Sequence, residues 1–286
     1  MAKLIDGLLV SEHIRSMVRK KVSTLASQGI KPCLATVLVG NNQASATYVK
    51  NKQIAASGVG ILTRDYKFPQ DITQEELSKT IQELNHDENV HGILIQLPLP
   101  DQIETSITNL VRHEKDVDGL TSYNLGLLLQ GSPKLVPCTP LGILELLDFY
   151  NIDVKGMDVA IINTSNLVGK PLGFLLMDRD ATVTFFHSKS KGMQDKLRNF
   201  DCIITAVGDR QKFILTGNMV KENAIIFDVG ITRINGKIHG DVDFKSVSEK
   251  AAYITPVPGG VGPMTVTILL KNTVLAASII SKNSSI

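Results

Sequence analysis

Apolar residues follow two alternating patterns in the first half of the chain. Residues 11–28 carry apolar side chains at three- and four-residue steps, which predicts a helix. Residues 33–39 form a short unbroken apolar run, which is typical of a buried parallel strand. Because strands and helices continue to alternate, the pattern predicts an α/β fold with a parallel sheet covered by helices. The further elements predicted here are helices over 44–58, closed by Gly58, and 73–85, opened by a Thr73 capping box, and strands over 61–68 and 92–97.

A second alternating series begins near residue 157 and predicts a Rossmann-like parallel sheet. Within it, Asn235-Gly236 predicts a tight hairpin turn, since both residues tolerate positive φ. A helix over 140–150 is expected to bridge the two series, and a final helix over 264–281 to pack on the first domain. The other predicted elements are strands over 159–163, 182–187, 202–207 and 225–229 and helices over 171–177 and 193–200.

Composition and charge narrow the class of protein. The chain has 286 residues, 43% hydrophobic and 20% charged, which suits a soluble protein of two modest domains or one large one. Its 30 basic and 28 acidic residues are well mixed and leave a net charge of +2. With no tryptophan and 5% aromatic residues, the chain lacks both the charge and the stacking surface that nucleic-acid binding needs. We therefore expect no nucleic-acid partner.

Cysteines, histidines and apolar stretches favour a cytoplasmic protein without a metal site. The 3 cysteines are isolated, and the 6 histidines form no HExxH or His/Cys cluster, so neither disulfides nor a catalytic metal are expected. The N-terminus lacks the apolar core of a signal peptide. The apolar stretch 266–280 is interrupted by Lys271 and Asn272 and is too short to cross a bilayer, so no membrane contact is expected.

Residues 256–265 read Pro-Val-Pro-Gly-Gly-Val-Gly-Pro-Met-Thr and run directly into the final apolar helix, with Thr265 as its expected cap. Proline fixes φ and glycine permits positive φ, so this composition predicts a rigid loop with an unusual path. Its glycines would leave backbone N–H groups open to a flat ligand. A ligand-contacting loop and a purely structural turn both fit this pattern.

Tyr48 and Lys52 lie four residues apart, which places them on one face of the helix over 44–58. A lysine shielded at the carboxyl end of a parallel sheet would have a lowered pKa and could exchange protons near neutral pH. A tyrosine that packs its ring beside a lysine reaching water fits the same spacing. Gln96, at the end of the strand over 92–97, needs hydrogen-bond partners. These are either backbone groups, or else Lys52 or a substrate.

Two further segments carry candidate binding chemistry. In Lys115-Asp-Val-Asp-Gly119, either aspartate could close an Asx turn or accept paired N–H bonds from a heterocycle. The turn Asn163–Pro171 contains no GxGxxG, yet its hydroxyls and helix N-terminus suit a phosphate or ribose as well as a structural role. The next strand ends in His187-Ser-Lys-Ser-Lys191, where an NAD site usually has an acid. Lysines there would tolerate the 2′-phosphate of NADP, and plain solvated lysines fit equally.

These segments occur in a characteristic order along nearly the whole chain. They are Val39-Gly40 with Ser45-Ala-Thr-Tyr48 and Lys52, Gly92–Pro98, Lys115–Gly119, Ser165–Pro171, Ala181–Thr184 with His187-Ser188, and Pro256–Thr265. Each motif is modest, but together they resemble the bifunctional methylenetetrahydrofolate dehydrogenase/methenyltetrahydrofolate cyclohydrolase family. The resemblance implies oxidation of 5,10-methylenetetrahydrofolate with NADP, followed by hydrolysis of the methenyl product to 10-formyltetrahydrofolate.

The same resemblance implies a two-lobed homodimeric enzyme. A catalytic domain over 1–139, joined by the helix over 264–286, would face a Rossmann-like NAD(P)-binding domain over 140–263 across a folate cleft. Lys52 would be the catalytic residue, assisted by Tyr48 and Gln96. Folate would contact Tyr48, Asp118, Pro258, Gly259 and Gly260, and the dinucleotide would contact Asn163, Thr164, Ser165, Ser188 and Ile231.

One departure from the family bears on the cofactor. Many members read Gly-Arg-Ser where this chain has Asn163-Thr164-Ser165, and that arginine can engage the 2′-phosphate. NADP is still the expected cofactor, with Lys189 or Lys191 substituting for the arginine, and NAD is the alternative.

Two other classes of protein fit part of the sequence pattern. A two-lobed dehydrogenase similar to shikimate dehydrogenase should lack the 256–265 loop, and a non-catalytic dinucleotide-binding module has no use for a Tyr/Lys pair.

Overall fold

The computed structural model describes residues 1–283, apart from the side chains of residues 43–47 and 283. The side chains of the Ser45-Ala-Thr match, and the last three residues of the helix predicted over 264–286, therefore lie outside the described residues. The helices are α1 (Gly7–Ser27), α2 (Gln43–Ser57), α3 (Gln74–His86), α4 (Ser122–Leu129), α5 (Cys138–Phe149), α6 (Gly169–Met177), α7 (Met193–Leu197), α8 (Phe244–Ser248) and α9 (Val261–Asn283). The strands are β1 (Lys3–Leu4), β2 (Cys33–Val39), β3 (Leu62–Phe68), β4 (Gly92–Ile95), β5 (Asp158–Ile162), β6 (Thr182–Phe186), β7 (Cys202–Thr205), β8 (Ile225–Asp228), β9 (Thr232–Ile234), β10 (Lys237–His239) and β11 (Tyr253–Ile254).

The described chain separates into two compact units. Unit 1 consists of Met1–Glu12 and Thr139–Thr265, and unit 2 consists of His13–Cys138 and the chain from Val266 on. The predicted domain boundaries differ from this division mainly in the first twelve residues, which belong to unit 1 because β1 pairs with β11. Both α1 and α9 therefore contribute residues to both units.

Unit 1 is built on a parallel sheet with the strand order β1-β11-β8-β7-β5-β6. The predicted Rossmann-like α/β architecture is confirmed. The sheet also contains β1 and β11, which were not predicted because each has only two residues and no apolar run marks it. The predicted Asn235-Gly236 turn joins the antiparallel strands β9 and β10, with φ of 50° and 76° at these two residues. Side chains such as Ile203, Ile226 and Leu215 fill the core beside this sheet.

Unit 2 is built on a three-stranded parallel sheet, in the described residues, with the order β3-β2-β4. All seven residues of β2 are buried, as its unbroken apolar run predicts. The capping box that opens α3 is present, since Thr73 accepts from the backbone N–H of Glu76 and the Glu76 carboxylate accepts from that of Thr73. The carboxyl ends of β2 and β4 lie side by side and position the groups described below.

Two helix ends differ from the prediction. α1 begins four residues early, at Gly7, because the Asp6 carboxylate accepts hydrogen bonds from the backbone N–H groups of Leu8 and Leu9 at 2.9 and 3.1 Å. After α2 the left-handed residue is Gly60, with φ of 84°, rather than Gly58. The N–H of the residue after Gly60 bonds to the carbonyl of residue 56 at 3.0 Å, which is the bond that closes a Schellman motif.

The last helix also begins earlier than predicted. α9 starts at Val261, so Pro263 lies in its first turn, where a missing N–H has no consequence. Thr265 is inside the helix and does not cap it; its hydroxyl lies 2.8 Å from that of Thr139. The helix is long and apolar enough to cross a membrane by length and composition, contrary to the prediction made from 266–280. However, 61% of its apolar window is buried inside the protein, where Met264, Ile268 and similar side chains form part of the core.

Candidate active site

Lys52 and Gln96 are brought together at the carboxyl edge of the unit 2 sheet. The Gln96 backbone N–H continues the pairing beyond β4 by donating to the Val37 carbonyl at 2.8 Å. Its side-chain amide donates to the Leu97 carbonyl at 2.7 Å, which leaves Oε1 to accept from Lys52 Nζ at 3.0 Å. Both alternatives considered for Gln96, backbone satisfaction and contact with Lys52, therefore hold at once.

Lys52 is a buried lysine with an altered protonation equilibrium. Only 8% of the residue is exposed. Burial lowers the pKa of its ammonium group, because the charged form loses hydration, while the negative charge of Asp118 and the nearby Cys138 oppose that change. A lysine in this position can give up its proton and take it back more easily than a lysine in water. The arrangement argues against a lysine that merely extends into solvent.

Tyr48 lies one helical turn before Lys52 and presents its ring to the same region. The ammonium nitrogen of Lys52 is 5.8 Å from the ring centroid. The tyrosine is 38% exposed, and partial burial raises the pKa of its phenol, which therefore stays protonated at neutral pH. An exposed ring face and a protonated hydroxyl suit a flat heterocyclic ligand.

The structure separates the roles of the two aspartates that precede Gly119. The Asp116 carboxylate is buried and accepts from the backbone N–H groups of Leu120 and Thr121 and from the Asn124 amide, at 2.8–3.1 Å. It therefore closes the turn that leads into α4. Asp118 is partly exposed, and among the described contacts its carboxyl meets the Cys138 thiol. Burial of its carboxyl raises the pKa, and the charge of Lys52 counteracts this.

A buried thiol that the sequence reasoning left out lies beside Asp118. Cys138 is 3% exposed and contacts the Asp118 side chain, and its Sγ lies 3.5 Å from the Val117 carbonyl. Burial and the Asp118 charge raise the pKa of the thiol well above its ordinary value, so it stays neutral. In the sequence, Cys138 is an isolated cysteine, and only its distance from Asp118 in the folded chain reveals the contact.

In unit 1, Asn163 organises the turn between β5 and α6. Its amide donates to the Ala206 carbonyl at 2.7 Å, and its Oδ1 accepts from Ser165 N and Oγ at 2.7 Å and from Gly169 N at 3.0 Å. Ser165 Oγ in turn accepts from the Val168 N–H at 3.2 Å. The side chains of these two predicted cofactor residues therefore form hydrogen bonds that stabilise their own loop.

Thr164 and Ser188 lie at one edge of the unit 1 sheet. Ile162 and Phe186 are register partners at the ends of β5 and β6, and both predicted contacts follow two residues later. Both are exposed, as are Lys189 and Lys191. Because the carboxyl ends of parallel strands form the ligand edge of open α/β folds, hydroxyls and positive charges are available where a dinucleotide would bind.

The exposed Ile231 belongs to a neighbouring turn after β8. A Cβ placed on Gly208, after β7, would lie 3.6 Å from the Ile231 carbonyl, so the turns after β7 and β8 lie side by side. Two buried carboxylates that the sequence reasoning missed hold them. Asp241 accepts from the Gly208 N–H at 3.0 Å, and Asp228 accepts from the N–H groups of Gly230 and Asp241 at 3.2 and 2.9 Å.

The loop that contains Pro258, Gly259 and Gly260 is part of unit 1, whereas Lys52, Tyr48, Gln96 and Asp118 are part of unit 2. Gly259 has φ of 106° and its carbonyl accepts from the Gly7 N–H at 2.9 Å. A Cβ on Gly7 would lie 1.7 Å from the Gly260 carbonyl oxygen, so the two backbones touch. The loop is therefore held in one path, as its proline and glycine content predicts.

Comparisons with known proteins assign both halves of the chain to one family. Residues 5–118 match the family model described as the tetrahydrofolate dehydrogenase/cyclohydrolase catalytic domain, and residues 137–281 match its NAD(P)-binding domain. The chain is 52% identical over 279 residues to the bifunctional protein FolD of Nitrosopumilus maritimus, covering 97% of each sequence.

Solved structures give the same assignment. The crystal structure of the bifunctional enzyme FolD from Campylobacter jejuni is 47% identical and superposes with a TM-score of 0.95, covering 98% of this chain and 99% of that one. A FolD structure from Trypanosoma brucei, complexed with NADP cofactor and an inhibitor, is 35% identical with a TM-score of 0.92, covering 97% and 98%. The chain belongs to the tetrahydrofolate dehydrogenase/cyclohydrolase family.

Proposed function

We propose that this protein oxidises 5,10-methylenetetrahydrofolate to the 5,10-methenyl form with NADP and then hydrolyses the product to 10-formyltetrahydrofolate. The observation that carries this proposal is the buried Lys52, bonded to Gln96 at 3.0 Å and close to the charge of Asp118. A protein that only binds a dinucleotide has no need of a shielded lysine in its other unit. Unit 2 would hold the folate chemistry and unit 1 the dinucleotide.

The first reaction depends on holding the reactants in place. Bound NADP would supply the hydride acceptor. Asp118 would accept hydrogen bonds from the amino-pyrimidine edge of the pterin, and the exposed ring of Tyr48 would lie against the folate. Pro258, Gly259 and Gly260, fixed in one path, are proposed to line the folate site as well. These residues contribute orientation, which by itself can supply several kcal/mol of barrier reduction, about 7 in well-aligned intramolecular reactions.

The second reaction depends on proton transfer at Lys52. Water adds to the methenyl carbon and loses a proton, which gives a neutral carbinol. The bond from that carbon to N5 then breaks, N5 takes up a proton and the carbinol hydroxyl loses its proton, which leaves the formyl group on N10 and releases one proton overall. Lys52 is proposed to accept and return the proton because burial makes its neutral form accessible. Gln96 holds the lysine amine in position through its bond to Nζ, and the protonated Tyr48 hydroxyl assists.

The dinucleotide would bind at the carboxyl edge of the unit 1 sheet, against Thr164, Ser165, Ser188 and Ile231, with Asn163 shaping the loop. Thr164 is too short and uncharged to pair with a 2′-phosphate in the way that an arginine does. The exposed ammonium groups of Lys189 and Lys191 support NADP as the preferred cofactor, with NAD as the alternative. We further propose a homodimer, as the family resemblance implies, and a cytoplasmic location, as the isolated cysteines favour.

The experiment that tests the function is a spectrophotometric assay with 5,10-methylenetetrahydrofolate, run separately with NADP and NAD. Cofactor reduction without accumulation of the methenyl species would support both activities. Cofactor binding without reduction would favour the dinucleotide-binding module and contradict the proposal.

Lys52→Met, compared with Lys50→Met, tests the catalytic assignment within one helix. Removing the shielded amine should lower hydrolysis at least about 100-fold while cofactor binding survives, because general acid–base groups contribute about that much. Lys50 is exposed, so its loss should leave both rates unchanged. Hydrolysis retained in Lys52→Met would remove Lys52 from the mechanism.

Asp118→Ala tests the pterin contact. We expect folate affinity to be lost while the far-ultraviolet circular dichroism spectrum stays that of the folded protein. An unchanged folate affinity would contradict the role of Asp118.

A further inference from the structure

Asn272 is a polar side chain in the middle of the apolar helix α9. It is 2% exposed, and its amide nitrogen donates to the backbone carbonyls of Val117 and Val136, both at 2.9 Å. The same nitrogen lies 3.9 Å from the sulfur of Cys138. Both amide hydrogens are therefore matched by carbonyls on two separate segments, which is what makes burial of this amide tolerable.

The two segments that Asn272 joins are the ones that surround Asp118. Val117 immediately precedes Asp118, and its own side chain packs on the backbone of Gly92, where a Cβ would lie 2.7 Å from a Val117 methyl group. On the other side of Asp118, a Cβ on Gly119 would lie 2.6 Å from the carbonyl carbon of Val136. The backbone before Asp118 is thus anchored by Asn272, and the backbone after it rests on the second segment that Asn272 holds.

Asn272 itself lies outside the groups that would touch a ligand. Among the described contacts, its amide reaches Asp118 only through the Val117 carbonyl and through Cys138, whose thiol contacts the Asp118 carboxyl. An apolar side chain of similar size could fill the same space in α9 but would remove the amide donor from both carbonyls, and the Val117 carbonyl would keep only the weak Cys138 thiol donor at 3.5 Å among its described side-chain contacts. The polar side chain at this position therefore has a specific geometric consequence for one aspartate.

We infer that Asn272 is a positioning residue for folate binding, which fixes the Asp118 carboxylate against the pterin and beside Lys52 by clamping the backbone of Val117 and Val136. This inference rests on the proposed function, in which Asp118 contacts the substrate. It extends the site to α9, where Asn272 lies 134 residues after Cys138 in the chain. The residue acts through hydrogen bonds to backbone and not through contact with folate.

The test compares Asn272→Leu with Thr273→Val in the full-length enzyme. Thr273 is the adjacent buried residue, and its hydroxyl donates to the Leu269 carbonyl of its own helix at 2.8 Å. Thr273→Val is therefore matched to Asn272→Leu in burial and in loss of a polar group. For Asn272→Leu we expect the KM for folate to rise at least about tenfold in both reactions, since small displacements of a binding group have effects of this size. The KM for the dinucleotide should stay within about twofold, because unit 1 is untouched.

The pH profile of hydrolysis supplies a readout that simple destabilisation does not move. The charged and titratable groups that influence Lys52 are Asp118, which holds its pKa up, and Cys138, with the Tyr48 ring beside the ammonium. If Asp118 moves away, the Lys52 pKa falls further, so the limb of the profile that reports Lys52 should shift to lower pH in Asn272→Leu. Thr273→Val should keep the wild-type profile.

The outcomes separate this inference from the proposed function. If Asp118→Ala raises the folate KM and Asn272→Leu changes neither the KM nor the pH profile, the positioning role is wrong while the function stands. If the wild-type enzyme does not turn over folate, the function itself fails. Should Asn272→Leu not fold, Asn272→Ala admits water to the two carbonyls and carries the same expectations. Equal effects of Asn272→Leu and Thr273→Val on the folate KM would overturn the inference.

Discussion

The buried carboxyl of Asp228 should contribute more to the stability of this protein in acid than at neutral pH. Asp228 is 4% exposed, and burial raises its pKa from the ordinary 3.8 to about 6, although the N–H groups of Asp241 and Val242 and the Thr205 hydroxyl counteract the change. The negative charge of Asp241 raises the pKa further. A raised pKa means that the folded protein binds this proton more tightly than the unfolded chain. The contribution of Asp228 to stability is therefore greatest in acid and is lost as the pH rises towards about 6.

The magnitude follows from the two pKa values. The difference between about 6 and 3.8 corresponds to about 3 kcal/mol in the free energy of unfolding, of which about 2 kcal/mol falls between pH 4 and pH 7. Asp228→Asn is neutral throughout this range, so it lacks the dependence and carries only a constant penalty for the altered hydrogen bonds. Urea denaturation followed by circular dichroism, with both proteins measured at each pH, gives the difference directly. The free energy of unfolding of Asp228→Asn, taken relative to that of the wild type, should rise by about 2 kcal/mol from pH 4 to pH 7.

The comparison between Asp228→Asn and wild type cancels the contributions of carboxylates that do not interact with Asp228. Asp87, Asp201 and Asp209 have pKa values lowered by their hydrogen bonds and ion pairs, so they stabilise the fold above their ordinary pKa, and they do so in both proteins. Asp243→Asn, in the neighbouring loop, removes one negative charge without touching the buried site and controls for net charge. A difference between Asp228→Asn and wild type that stays constant from pH 4 to pH 7 would refute the reasoning, since it would mean that hydrogen bonds outweigh burial at Asp228.

Three further predictions concern the cofactor, the active-site turn and one helix cap. The paired change Lys189→Ala with Lys191→Ala should raise the KM for NADP at least about tenfold and leave that for NAD unchanged; equal effects on both would exclude 2′-phosphate contact. Gly119→Ala should weaken folate binding and lower the melting temperature, because φ is 69° and the new methyl would lie 2.6 Å from backbone atoms; a variant with wild-type KM and melting temperature would contradict this. Thr73→Ala should lower the free energy of unfolding by about 1 kcal/mol through loss of the capping box, as urea denaturation would measure.

Local signals in the sequence predicted elements whose chemistry is local. The Thr73 capping box and the Asn235-Gly236 turn each depend on a few adjacent residues, and both occur where expected. Signals that need a partner far along the chain failed. β1 has only two residues, and its pairing with Tyr253–Ile254 gives no apolar run to read. Thr265 resembled a helix cap because helix-breaking residues precede it, yet a helix accepts proline in its first turn, so α9 begins at Val261.

The candidate site shows the same division. The four-residue spacing correctly placed Tyr48 and Lys52 on one face of α2, because helical periodicity is a local property. Spacing alone could not distinguish Asp116 from Asp118, since the distinction lies in which carboxylate finds backbone donors after folding. Spacing could not reveal the role of Asn272 either, because its partners Val117 and Val136 lie 155 and 136 residues away in the chain. The roles of individual site residues in catalysis stay predictions for the variants above.

The interleaving of the two units has a consequence for how the chain folds during synthesis. β1 is made first, but its pairing partner β11 is Tyr253–Ile254, near the other end of the chain. Unit 2 likewise waits for α9, which supplies the donor for the Val117 carbonyl. Unit 1 therefore lacks two adjacent strands of its sheet until β11 has been made, and unit 2 lacks part of its core until the chain from Val266 on follows. A chain released before β11 would therefore leave both units incomplete.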